Sequence, residues 1–91
     1  MSLKYALNRK RTNFRVAVVV SRKVSGSAVV RTRIRRRVYG SVEKLADRIN
    51  ASYDLIFSVY SQDLADIPTT ELYRLVENLL DQAGVLNKAK D

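Results

Sequence analysis

Six apolar residues, Val30, Ile34, Val38, Val42, Leu45 and Ile49, recur at spacings of four and three. That spacing commits about a quarter of the chain to one long amphipathic helix, because residues three and four apart stack on the same face. On a helical wheel the six fall within about 120° of one another, a stripe broad enough to lie on a sheet and too narrow for burial all round. Ser25-Gly26-Ser27 breaks the chain just ahead of the stripe, and Ser27 suits the N-cap of a helix starting at Ala28. Asn50 suits its end, so the helix is expected to run roughly 34 Å at 1.5 Å per residue. Gly40 falls inside it, costs about 1 kcal/mol relative to Ala, and marks where it can kink.

The residues between the stripe positions break a local rule. Arg31-Thr32-Arg33-Ile34-Arg35-Arg36-Arg37 puts five arginines in the first half of the helix, where free N–H groups and the positive dipole end favour acids. Such a breach marks a functional surface. It belongs to a wider asymmetry: residues 1–40 carry 12 basic and no acidic side chains, whereas residues 41–91 carry 5 basic and 9 acidic. The net charge of +8 therefore originates entirely in the first part of the chain. A solubilising surface mixes signs, as the second part does. A long acid-free stretch suits a polyanion, and nucleic acid is the commonest one. Arginine in place of lysine points the same way, since its planar fork matches phosphate geometry.

On the wheel, Arg36 lies opposite the stripe and Arg33 on the rear shoulder, so replacing either is expected to leave the fold intact. Arg37 and Lys44 share one flank, and Arg31 and Arg35 fall at the opposite margin. Arg22 and Lys23 precede the helix and extend the patch.

Apolar residues make up 46% of the chain, enough for a packed core, and residues 1–91 read as a single nucleic-acid-binding domain. Residues 3–7 alternate weakly and suit a short edge strand, with Asn8 to Asn13 as a hairpin connection. Phe14 to Val20 is rich in β-branched residues, and the unbroken apolar run Val16–Val20 predicts a central strand buried on both faces. Tyr53 to Tyr60 reads as a further buried strand and Gln62 to Pro68 as a polar connection. Thr69 or Thr70 opens a last helix carrying Leu72, Leu75, Val76, Leu79, Leu80 and Ala83, closed by Gly84 at a C′ position. The order β-β-α-β-α implies an α+β fold, a small two-layer α/β sandwich with both helices on one face of the sheet.

The inventory excludes much chemistry. Without His or Cys there is no imidazole base, thiolate nucleophile, zinc site or disulfide. Asp63 and Asp66 sit in a polar connection and read as solvated carboxylates, so neither catalytic nor metal-ligating residues are assigned. Tyr5, Phe14, Tyr53, Phe57 and Tyr60 read first as sheet core, with base stacking as the alternative. The three glycines form no phosphate-cradling motif. The longest apolar run is far too short for a membrane span.

Phe14-Arg15-Val16-Ala17-Val18-Val19-Val20-Ser21-Arg22-Lys23-Val24, followed by Ala28-Val29-Val30-Arg31-Thr32-Arg33-Ile34-Arg35-Arg36, resembles the protein subunit of bacterial ribonuclease P. In that family a strand ending Ser-Lys-Lys-Val leads into Ala-Val-x-Arg-Asn-Arg-x-Lys-Arg, the RNR motif. Tyr53-Asp54-Leu55-Ile56-Phe57 continues the match as the next strand, and the likeness extends from about Leu3 to Gly84.

The resemblance implies a ribosomal protein S5 domain 2-like fold with a left-handed βαβ crossover. It implies a cytoplasmic protein that binds ribonuclease P RNA as a monomer in a ribonucleoprotein and assists removal of the 5′ leader from precursor tRNA. The RNA is then the catalyst of this endonuclease, and Mg²⁺ acts through the RNA without a protein-only site. Arg31, Arg33, Arg35 and Arg36 inherit the RNA-contact role; Arg22 and Lys23 match the strand end beside the motif, and Thr32, Arg37 and Lys44 complete the candidate RNA-binding set. Tyr5 and Phe14 are candidates for a cleft that holds the leader. Three departures stand out: Thr32 replaces the motif Asn, Tyr39-Gly40 replace the usual Arg-Glu, and the family's N-terminal helix has no counterpart ahead of Leu3. A ribosomal or ribosome-associated RNA-binding protein with no part in tRNA processing is the alternative. An enzyme using its own carboxylate-bound Mg²⁺ is disfavoured, since every carboxylate lies away from the arginines in sequence.

Overall fold

The computed structural model describes residues 1–8 and 13–87. Strand β1 (Ser2–Leu7) and strand β2 (Arg15–Val20) precede helix α1 (Ala28–Leu45), which tightens into a 3₁₀ turn at Ala46–Arg48. Strand β3 (Tyr53–Val59), a second 3₁₀ turn (Gln62–Ala65) and helix α2 (Thr69–Gln82) complete the order. The fold is a small α+β sandwich of one three-stranded sheet and two helices.

The sheet order is β1-β3-β2, with β3 antiparallel to β1 and parallel to β2. This overturns two expectations. The first two strands do not form a hairpin, because β3 inserts between them; residues 9–12 of the expected connection lie outside the described residues. Nor is β2 central. It is an edge strand whose Val18 and Val20 face the core while Arg15, Ala17 and Val19 face solvent, Val19 being 50% exposed. A continuous apolar run fits a strand buried on both faces, but here the helices cover only one. The central position goes to β3, where Leu55, Phe57 and Val59 alternate with the more accessible Asp54, Ile56 and Ser58.

The apolar stripe behaves as its spacing requires. Ile34, Val38, Val42, Leu45 and Ile49 are buried, and they join Val18, Val20, Leu55, Phe57 and Val59 of the sheet and Leu72, Val76 and Leu80 of α2 in one core. Val30, at the open end, is only partly buried. Helix α1 passes through Gly40 without interruption. Its α-helical part ends earlier than Asn50, at Leu45, and the remaining stripe position is reached through the 3₁₀ turn.

Segment 62–68 is less polar than its composition suggests, since Leu64 and Ala65 of its 3₁₀ turn are buried. Helix α2 ends as expected. Gly84 has φ +73°, its N–H reaches the Asp81 carbonyl at 3.0 Å, and the Val85 N–H reaches that of Leu80 at 3.2 Å. This is the Schellman pattern, in which the left-handed residue lets two terminal carbonyls find donors. Among the described residues no helix is long and apolar enough to cross a membrane.

Candidate nucleic-acid interface

Helix α1 starts where its sequence directs. Ser27 is extended (φ −81°, ψ 119°), and its Oγ accepts from the Val30 N–H at 3.3 Å. No acid follows in the first turn, so the arginines occupy the dipole's positive end without local neutralisation.

Four arginines are oriented by hydrogen bonds within the fold. Arg31 Nη1 donates to the Ser25 carbonyl at 2.8 Å, and Arg35 Nη2 donates to Thr32 Oγ1 at 3.2 Å. On the other side, Arg33 Nε donates to the Ala65 carbonyl at 2.8 Å. Arg37 Nη1 donates to the Leu64 carbonyl at 2.6 Å, and its Nη2 to that of Ile67. These acceptors lie at the end of a 3₁₀ turn, where carbonyls lack helical partners. Arg33 was expected to be dispensable for folding. The structure adds a contact that the wheel does not show: its side chain ties the rear shoulder of α1 to the Ala65 carbonyl.

The remaining cations differ. Arg22, Lys23, Arg36 and Lys44 are exposed, and their side chains make no hydrogen bond or ion pair with a described residue. Thr32, Arg33, Arg36 and Arg37 converge with Ala28 and Val29 on an open concavity of about 710 Å³. Val29 stands 80% exposed at its rim. Guanidinium groups beside the exposed Val29 offer phosphates their charge and bases an apolar contact. Arg31 and Arg35 fall outside this hollow. Lys23 lines another with Ser21 and Tyr60, and Lys44 a third on the α2 side.

Tyr5 and Phe14 are separated from the arginine face. Tyr5 pairs across β1–β3 with Leu55, is 51% exposed, and meets Tyr53 edge-on with ring centroids 6.1 Å apart. Phe14 precedes the residue that pairs with Asp54 and packs partly against the core. Register therefore puts both aromatics at the same end of the sheet, with β3 between them.

Asp63 is exposed on the 3₁₀ turn and Asp66 just after it. Among the described residues no three Asp, Glu, His or Cys side chains cluster as metal ligands. The surface residues that the sequence did not reveal are Thr69, Thr70, Tyr73 and Arg74. They share the third hollow with Lys44, and only their helical spacing on α2 hinted at a common face.

Residues 1–84 match the family model described as Ribonuclease P. The ribonuclease P protein component of Roseiflexus castenholzii is 40% identical over 89 residues, covering 98% of this chain and 71% of that protein. That of Chloroflexus aurantiacus is 43% identical over 77 residues, covering 85% of this chain, which spans only 56% of that relative. The Staphylococcus aureus RNase P protein structure superposes with a TM-score of 0.77 at 27% identity, covering 93% of this chain and 75% of that one. The Thermotoga maritima RNase P protein also has a TM-score of 0.77; at 20% identity it supports the fold alone. These likenesses favour the ribonuclease P reading over the ribosomal one.

Proposed function

The chain belongs to the ribonuclease P protein family, and from that premise we propose that it binds the catalytic RNA through the arginine face of α1 and assists 5′ leader removal from precursor tRNA. The observation that carries this reading is the concavity of Thr32, Arg33, Arg36 and Arg37 at the start of a helix without first-turn acids. Arg36 and Lys44, both exposed, supply charge to phosphates. Arg31, Arg33, Arg35 and Arg37 present guanidinium groups whose directions are set by their protein acceptors. Arg22 and Lys23 extend the surface from the turn that closes through the Val24 N–H and Ser21 carbonyl at 3.0 Å. Tyr5 and Phe14 offer stacking faces for the single-stranded leader.

Hydrolysis belongs to the RNA. The chain has neither His nor Cys, and among the described residues no three carboxylates gather, so Mg²⁺ is assigned to RNA phosphates. The protein contributes charge neutralisation, which lowers the divalent ion concentration that a folded RNA requires. It acts as a monomer in a cytoplasmic ribonucleoprotein.

The test is reconstitution with a cognate ribonuclease P RNA. The protein should stimulate precursor tRNA cleavage at low Mg²⁺ and cleave nothing when rigorously freed of RNA. Cleavage by RNA-free protein, or no stimulation of the RNA, overturns the reading.

A further inference from the structure

We infer that the RNA surface continues past the arginine row into a second basic groove, where Lys44 of α1 and Thr69, Thr70 and Arg74 of α2 hold the sugar–phosphate backbone of the catalytic RNA. The inference rests on the proposed role of the arginine face and adds residues from a different helix.

The groove has a volume of about 380 Å³ and is walled by Lys44, Thr69, Thr70, Tyr73, Arg74 and Glu77. Lys44 and Arg74 are exposed, and neither side chain makes a hydrogen bond or ion pair with a described residue. The one acid lining it is already engaged: Arg48 Nη1 holds Glu77 Oε2 at 2.9 Å. Two unpaired cations from separate helices thus share a concave surface with hydroxyl donors, the set that contacts phosphate and sugar.

Position argues for the same RNA that meets the arginine row. Lys44 lies seven residues beyond Arg37, two helical turns along the same flank, or about 10 Å. That is about three nucleotides of a stacked strand at ~3.4 Å each. Arg37 in turn fastens the carbonyls of Leu64 and Ile67, the segment that delivers Thr69 and Thr70 to the groove. One backbone can follow α1 from the first hollow to the second.

The test measures salt-dependent binding of the full chain to a cognate ribonuclease P RNA without tRNA. Lys44→Gln and Arg74→Gln should each weaken binding and flatten the log K–log salt slope by about 0.7–0.9, the value of one phosphate contact. Arg36→Gln reports on the arginine row, and Arg15→Gln, on the opposite face of the sheet, reports on net charge alone. Loss at Arg36 with Lys44 and Arg74 matching Arg15 overturns this inference and spares the proposed function. Salt-insensitive binding by the unmodified chain overturns both. Because the chain lacks cysteine, Thr70→Cys offers a unique attachment point for an iron chelate. With precursor tRNA added for this arm, strand cuts in the catalytic RNA support the groove; cuts confined to precursor tRNA, or no cuts, overturn its assignment to that RNA.

Discussion

Arg33 Nε donates to the carbonyl oxygen of Ala65 at 2.8 Å, joining residues 32 positions apart in the chain. With the two bonds of Arg37 to Leu64 and Ile67, it forms a clamp between α1 and the approach to α2. Arginine provides this where lysine does not, because a planar fork reaches divergent acceptors with fixed geometry.

The clamp should separate stability from RNA affinity. Arg37→Gln removes two charge-assisted bonds at a half-buried site and should cost about 1.5–3 kcal/mol in urea unfolding. Arg33→Gln, more exposed, should cost about 1 kcal/mol. Arg36→Gln should stay within about 0.5 kcal/mol of the parent. Equal stability of all three variants would show that the clamp does not form in solution.

A charge-preserving substitution divides the roles differently. Arg37→Lys keeps the cation but loses the fork, so its thermal midpoint should fall while the salt slope of RNA binding stays near that of the parent. Arg36→Gln should keep the midpoint and flatten the slope by about 0.7–0.9. The reverse pattern would make Arg37 the phosphate contact and Arg36 the structural residue.

Two glycines should respond with opposite signs. A Cβ added at Gly40 meets nothing within 4 Å, and the residue sits in continuous helix. Gly40→Ala should therefore stabilise by about 1 kcal/mol, raising the midpoint by about 4–8 °C for a domain this small. Gly84 also has room for a Cβ, but its φ of +73° is left-handed. Gly84→Ala should destabilise by about 1–2 kcal/mol. Calorimetry on the pair checks both, and a loss at Gly40 would contradict the open space around it.

Tyr5→Ala should lower the midpoint modestly, since half of the side chain is buried and its ring meets Tyr53 edge-on. If its ring stacks on a leader base, the preference for precursor over mature tRNA should fall by about 1–3 kcal/mol. Unchanged discrimination would remove Tyr5 from the leader surface.

The sequence by itself determined the helices and the row of arginines along α1. Burial of Ile34, Val38, Val42, Leu45 and Ile49, the Ser27 cap and the Gly84 terminus follow from spacing and local backbone chemistry. These are short-range effects, so residues three to five apart suffice to specify them. The arginine face was legible for the same reason, because charge along one helix is a local pattern. Only the tertiary structure decided that β3 lies between β1 and β2. Val16–Val20 is apolar enough for either a central or an edge strand, and pairing order depends on contacts across dozens of residues. It also decided which arginines are tied and which stand free. The acceptors of Arg33 and Arg37 are main-chain carbonyls of Ala65, Leu64 and Ile67. Every residue carries such a carbonyl, so side-chain identity leaves no mark of which ones a distant guanidinium will reach until the chain has packed.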